Sequence, residues 1–193
     1  MSKVKYINPY TDFGFKKLFG EEGNKDLLVD FLNQLLPPHH QIAELSFRNP
    51  ENLPDSPEGR KAIYKNLQLK FLQMPLFTKQ EHELETRFDK WCYFLKNLQN
   101  FDHIPAILNE PIFQKAFKTA ELANMTAEQR DRYDQSLINY WDMKNMVDTA
   151  VEEERIEIAK RLIASGSTNE FITQITELSV EQIEKLRTFI SPS

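Results

Sequence analysis

Apolar side chains recur at helical spacing from the start of the chain. Phe13, Phe15, Leu18 and Phe19 form a first face, and Leu27, Leu28, Phe31, Leu32, Leu35 and Leu36 form a second at steps of three and four. Thr11 precedes the first run as an N-cap, with Asp12 in the first turn where the helix dipole favours a negative charge. Gly20 and Gly23 separate the two runs, and Pro37-Pro38 stops the second because proline lacks an N–H and disfavours helix in the residue before it. From Gln41 to Phe47 the period changes to two, with Ala43, Leu45 and Phe47 alternating against Ile42, Glu44 and Ser46, which predicts a strand. Asn49 to Gly59 holds three prolines and reads as a connection. Lys61–Tyr64 and Leu67–Leu72 read as further strand pieces, closed by Pro75.

Beyond Pro75 the pattern is helical throughout. Leu84, Phe88, Trp91, Cys92, Leu95 and Leu98 lie on one face of a helix predicted over Glu81–Leu98. Pro111 is a first-turn proline for a helix through Ala123. Thr126 and Gln129 form a capping box opening a long helix to Ser165, which carries Leu137, Trp141, Val147, Val151, Ile158 and Leu162. Such a stripe serves either as intrachain core or as an association seam, and Val151, Ile158 and Leu162 are the candidate seam residues. Gly166 is placed to cap the helix, and two short helices follow: Phe171–Ile175, and one capped by Ser179 with Gln182.

Charge narrows the partners. The net charge of −5 divides into +1 over residues 1–75, −3 over 76–150 and −3 over 151–193, so no segment has the basic excess that drives phosphate binding. The helix–turn–helix outline of the tail does not change this, because Glu181, Glu184, Lys185 and Arg187 leave its second helix neutral. The lone Cys92, inside Trp91-Cys92-Tyr93-Phe94, reads as a buried apolar residue rather than a reactive thiol. His39, His40, His82 and His103 form no pair at i, i+3 or i, i+4, so no zinc site is expected. No apolar run approaches membrane-spanning length and no signal-type segment opens the chain, which places the protein in the cytoplasm with no membrane partner.

The segment Tyr6-Ile7-Asn8-Pro9-Tyr10-Thr11-Asp12-Phe13-Gly14-Phe15-Lys16-Lys17-Leu18-Phe19-Gly20 resembles the opening of the recombination-promoting nuclease (Rpn) and transposase family, part of the PD-(D/E)XK nuclease superfamily. The resemblance continues through Leu45–Pro50, Glu58–Tyr64, Phe71–Pro75, Glu83-Leu84-Glu85-Thr86-Arg87-Phe88-Asp89-Lys90-Trp91 and the tail Ile172–Ser179. It implies a metal-dependent DNA endonuclease with an α/β core and Mg²⁺ as cofactor. In that family the strand aligned with Lys61–Tyr64 leads into a metal-binding Asp, and the next strand carries a Glu-x-Gln version of Glu-x-Lys. Two carboxylates are needed there because hard oxygen ligands hold the cation that polarises phosphate and generates hydroxide.

Here Lys65 stands at the Asp position, and no such Glu motif follows before the helices begin. The sequence therefore reads as a family member whose catalytic core is internally deleted, with no catalytic or metal-binding residue and no cofactor of its own. Asp12 is the one residual acidic candidate. The fold class expected is α+β and predominantly α-helical. Residues 1–75 form a truncated nuclease-like remnant with two or three short strands, 76–165 a helical region ending in a long helix, and 166–193 a two-helix tail. Two functional readings stay open. One is a catalytically inactive protein that self-associates or pairs with a full-length sibling; the other is a DNA-binding or DNA-cleaving remnant with a rearranged site.

Overall fold

A computed structural model of the chain describes residues 4–47 and 70–190. The connection Asn49–Gly59, the strand piece Lys61–Tyr64, Lys65 and residues 67–69 lie outside the described residues. Seven α-helices are present among the described residues: α1 Asp12–Phe19, α2 Lys25–Asn33, α3 Arg87–Asn97, α4 Pro111–Ala120, α5 Ala127–Ala164, α6 Asn169–Thr176 and α7 Val180–Ile190. The β component there is a single isolated antiparallel bridge, Tyr6 to Glu121, so the predominantly helical class holds. The chain divides into two compact units, Met1–Leu137 and Ile138–Ser193, with α5 running through the boundary.

In the first unit, α1 and α2 pack with α3 and α4 around an aromatic core. Trp91, Phe94 and Phe113 are fully buried, and Phe19 and Phe117 nearly so. Their rings meet in tilted and edge-on pairs, Trp91 to Phe113 at 4.8 Å and Phe94 to Phe117 at 4.9 Å, the geometry that ring quadrupoles favour. The N-terminal segment lies antiparallel along the end of α4: Ile7 N–H donates to the Ala120 carbonyl at 3.0 Å, and Leu122 N–H to the Lys5 carbonyl at 3.0 Å. This buries Tyr6 and Ile7 against the helices.

Two sequence expectations are corrected here. Gln41–Phe47 is not a strand, and neither are residues 70–72. Instead of pairing with another strand, Ile42 is held by the Asn33 side chain, which accepts from its N–H at 2.7 Å and donates to its carbonyl at 3.0 Å. Alternation alone makes no strand when a side chain satisfies the backbone groups a ladder would use. The helix predicted over Glu81–Leu98 starts only at Arg87. Thr86 and Asp89 form a capping box there, after a short 3₁₀ turn over Glu81–Glu83.

In the second unit, the end of α5 packs with α6 and α7. Ala159, Ile163, Ile172, Leu178 and Ile183 are buried together, with Leu162 partly buried against them. The expected Gly166 cap is present: φ is +81°, Gly166 N–H donates to Ile163 O, and Ser167 N–H donates to Leu162 O, a Schellman motif.

Candidate functional site

Asp12, the residual acidic candidate, sits in the first turn of α1 with an exposed carboxylate, ion-paired to Lys16 at 2.8 Å. Lys65 lies outside the described residues. The described residues do not fit a divalent cation. The position that the resemblance gives to a metal-binding Asp holds a lysine, and among the described residues no three or more His, Cys, Asp or Glu side chains converge. The neighbouring His39 and His40 rings lie 4.4 Å apart, and His103 engages the carboxylate of Asp102. Cys92 is buried, and burial followed by the nearby Asp89 charge pushes its thiol up to about 11, so it stays protonated at neutral pH.

Among the described residues, the opening motif and Asp89, which carry the family resemblance, are explained by packing. Thr11 Oγ1 accepts from Gly14 N–H at 2.9 Å and donates to the Asn8 carbonyl at 2.9 Å, while Asn8 N–H donates to the Tyr133 hydroxyl at 2.9 Å. This network fixes the entry to α1 and ties it to the start of α5. A Cβ at position 14 would lie 2.0 Å from the Asn8 carbonyl oxygen, so only glycine fits. Asp89 is a positioning carboxylate as well. It accepts from Thr86 N–H at 3.0 Å and from Lys79 Nζ at 2.8 Å.

A polar node that the sequence reading missed joins α2, α3 and the start of α4. Arg87 donates in bidentate fashion to Asp30, at 2.8 Å from Nε to Oδ1 and 2.7 Å from Nη2 to Oδ2. Its Nη1 donates to Glu110 at 2.9 Å, and Lys90 donates to the other Glu110 oxygen at 2.5 Å. Trp91 Nε1 donates to Asp30 at 2.6 Å, which satisfies the indole of the largest fully buried side chain. Asp30 raises the Arg87 pKa by hydrogen bonding, and Lys90 lowers that of Glu110 in the same way, so both of these groups stay charged at neutral pH. Asp30 and Arg87 are 57 residues apart, and no periodicity links them.

Among the described residues, a long stretch of α5 is left exposed. Every residue from Trp141 to Val151 is exposed. Tyr140, Met143, Val147 and Val151, at steps of three, four and four, share one face, with Met146 and Ala150 on its flank. Met143 is 61% exposed, Met146 66% and Val147 53%. The candidate seam residues separate along this helix. Val151 belongs to the exposed face, Ile158 continues it half-buried, and Leu162 packs onto the cluster of α6 and α7. The sequence signal for Met143 was available in its spacing to Val147.

A family model described as PD-(D/E)XK nuclease family transposase matches residues 9–65 and 60–150. No curated protein and no solved structure matches the chain. No helix among the described residues is long and apolar enough to cross a membrane.

Proposed function

The chain belongs to the PD-(D/E)XK nuclease family transposases, and from that premise we propose that it is a member without nuclease activity whose remaining role is helical association. It is a relative of DNA endonucleases that act in recombination. The observation that carries the reading is Lys65 at the position of the metal-binding Asp. A lysine ammonium there repels the cation that the reaction requires. The two stretches matched by the family model overlap at residues 60–65, the same junction, and this supports a missing internal segment.

The association surface is the face of α5 formed by Tyr140, Met143, Val147 and Val151, continued by Ile158. Its occupant is a second copy of the same helix, from this chain or from a full-length sibling. An antiparallel pairing centred on Val147 sets Met143 of each copy against Val151 of the other. It also keeps the Glu152-Glu153-Glu154 clusters of the two copies apart. These side chains are about half-exposed in the single chain, so burying the remainder stabilises by roughly 1 kcal/mol each. Pairing with a full-length sibling would place an inactive subunit beside an active one and temper its nuclease. The acidic second half of the chain opposes the other reading, since binding DNA without a basic face is unfavourable.

Light scattering paired with a salt-dependent titration of duplex DNA separates the two. An oligomer with negligible DNA affinity is expected. A monomer whose duplex binding falls steeply with salt would overturn the proposal in favour of a DNA-binding remnant.

A further inference from the structure

We propose that a cavity in the first unit, beside the start of α5, binds a small organic phosphate. The cavity is a half-open cleft of about 570 Å³, within the range of small-molecule sites, and is lined by Lys5, Gln99, Asn100, Phe101, Asp102 and Arg130. None of these residues belongs to the aligned catalytic positions or to the exposed face of α5.

Two cations converge on it from different segments. Arg130 lines the cavity, and its Nη1 is buried with no hydrogen-bond partner among the described residues. A buried guanidinium nitrogen without an acceptor is costly, and an oxyanion that drew the side chain into the cavity would supply the acceptor it lacks. Lys5 Nζ lies near Tyr6, whose hydrogen bonding is the main cause of its raised pKa, and 3.6 Å from Glu121, so an anion of higher charge competes with both for it. The one acid in the lining, Asp102, is 82% exposed and engages His103, so its charge is largely screened.

The chemistry selects among anions. A guanidinium and an ammonium together match a dianionic phosphomonoester better than a monoanionic carboxylate, and the Asn100 amide adds donors that a phosphate's third oxygen can use. The ligand also needs an organic body. Phe101 forms an apolar wall held by Tyr93 at 5.8 Å and Phe117 at 5.4 Å, with Val4 and Leu122 nearby.

Calorimetric titration of the full chain with AMP, inorganic phosphate and a ten-nucleotide single strand, at constant ionic strength, tests this. Saturable binding of AMP at one per chain is expected, with inorganic phosphate weaker. Arg130→Gln should weaken AMP about tenfold or more, since a hydrogen bond between charged groups is lost. Glu121→Gln should tighten it, because one competitor for Lys5 is neutralised, an effect a purely structural role would not produce. If Arg130→Gln does not fold by circular dichroism, Lys5→Gln set against Glu121→Gln decides by the same opposite signs. Absence of saturable binding, affinities unmoved by these variants, or binding of the oligonucleotide without AMP would overturn the proposal.

Discussion

At Gly14 the chain of α1 passes directly beneath the Asn8 carbonyl, and the ordinary rule for glycine in a helix is reversed. Gly→Ala in a helix interior usually stabilises by up to about 1 kcal/mol. Here the added methyl would meet backbone oxygen at 2.0 Å. Gly14→Ala is therefore expected to destabilise the first unit by roughly 2 kcal/mol or more, read as a lowered denaturation midpoint. At Asp89, burial disfavours the charge, but the Lys79 ammonium and the Thr86 N–H and hydroxyl outweigh it and hold the carboxyl at about 2, below its ordinary 3.8. A depressed folded pKa means stability that is present above pH 4 and lost as pH falls toward 2. Asp89→Asn should cost about 1–2 kcal/mol at neutral pH. The gap from the parent chain should close over that acid window, measured by denaturation at stepped pH. Glu177 stands at φ +61° just after α6, where an L side chain is strained. Glu177→Gly relieves the strain but removes the exposed pair with Arg155. A net gain of about 0.5 kcal/mol is expected from thermal unfolding of the helical signal.

Helix ends were the most legible elements, because caps are local chemistry. Thr11 caps α1, Thr126 and Gln129 bond reciprocally at 3.2 Å before α5, Gly166 ends α5, and Ser179 with Gln182 opens α7 as the residue types dictate. The start of α3 was misplaced although Thr86-x-x-Asp89 was visible, since Leu84, which precedes the helix, stands at helical spacing from Phe88. The strand expected at Gln41–Phe47 failed for a different reason. Pairing is tertiary, and Asn33 supplies the bonds to Ile42. The Asp30–Arg87–Glu110 node was not legible at all, because it depends on three segments meeting. For the exposed face of α5, Val147→Asp with Val151→Asp should dissociate the oligomer at micromolar protein. Helix content should be unchanged, since both side chains are already about half-exposed in the single chain. Loss of helix with no change in mass would contradict the association surface.

On the scale of the whole molecule, the packing built by the family motifs is distinct from the chemistry proposed to be lost. The opening motif and Asp89-Lys90-Trp91 persist because they hold the helices together, through the Asn8–Thr11–Tyr133 network, the Thr86 cap and the buried indole. None of those roles requires a metal, so a chain that lost its carboxylates can keep them and still fold. The central claim is that this family member does not cleave DNA. The most direct measurement is conversion of supercoiled plasmid to nicked circle by purified protein in Mg²⁺ and in Mn²⁺. Conversion no faster than in protein-free buffer is the predicted result. Cleavage that survives repeated purification and is abolished by Asp12→Ala would contradict it.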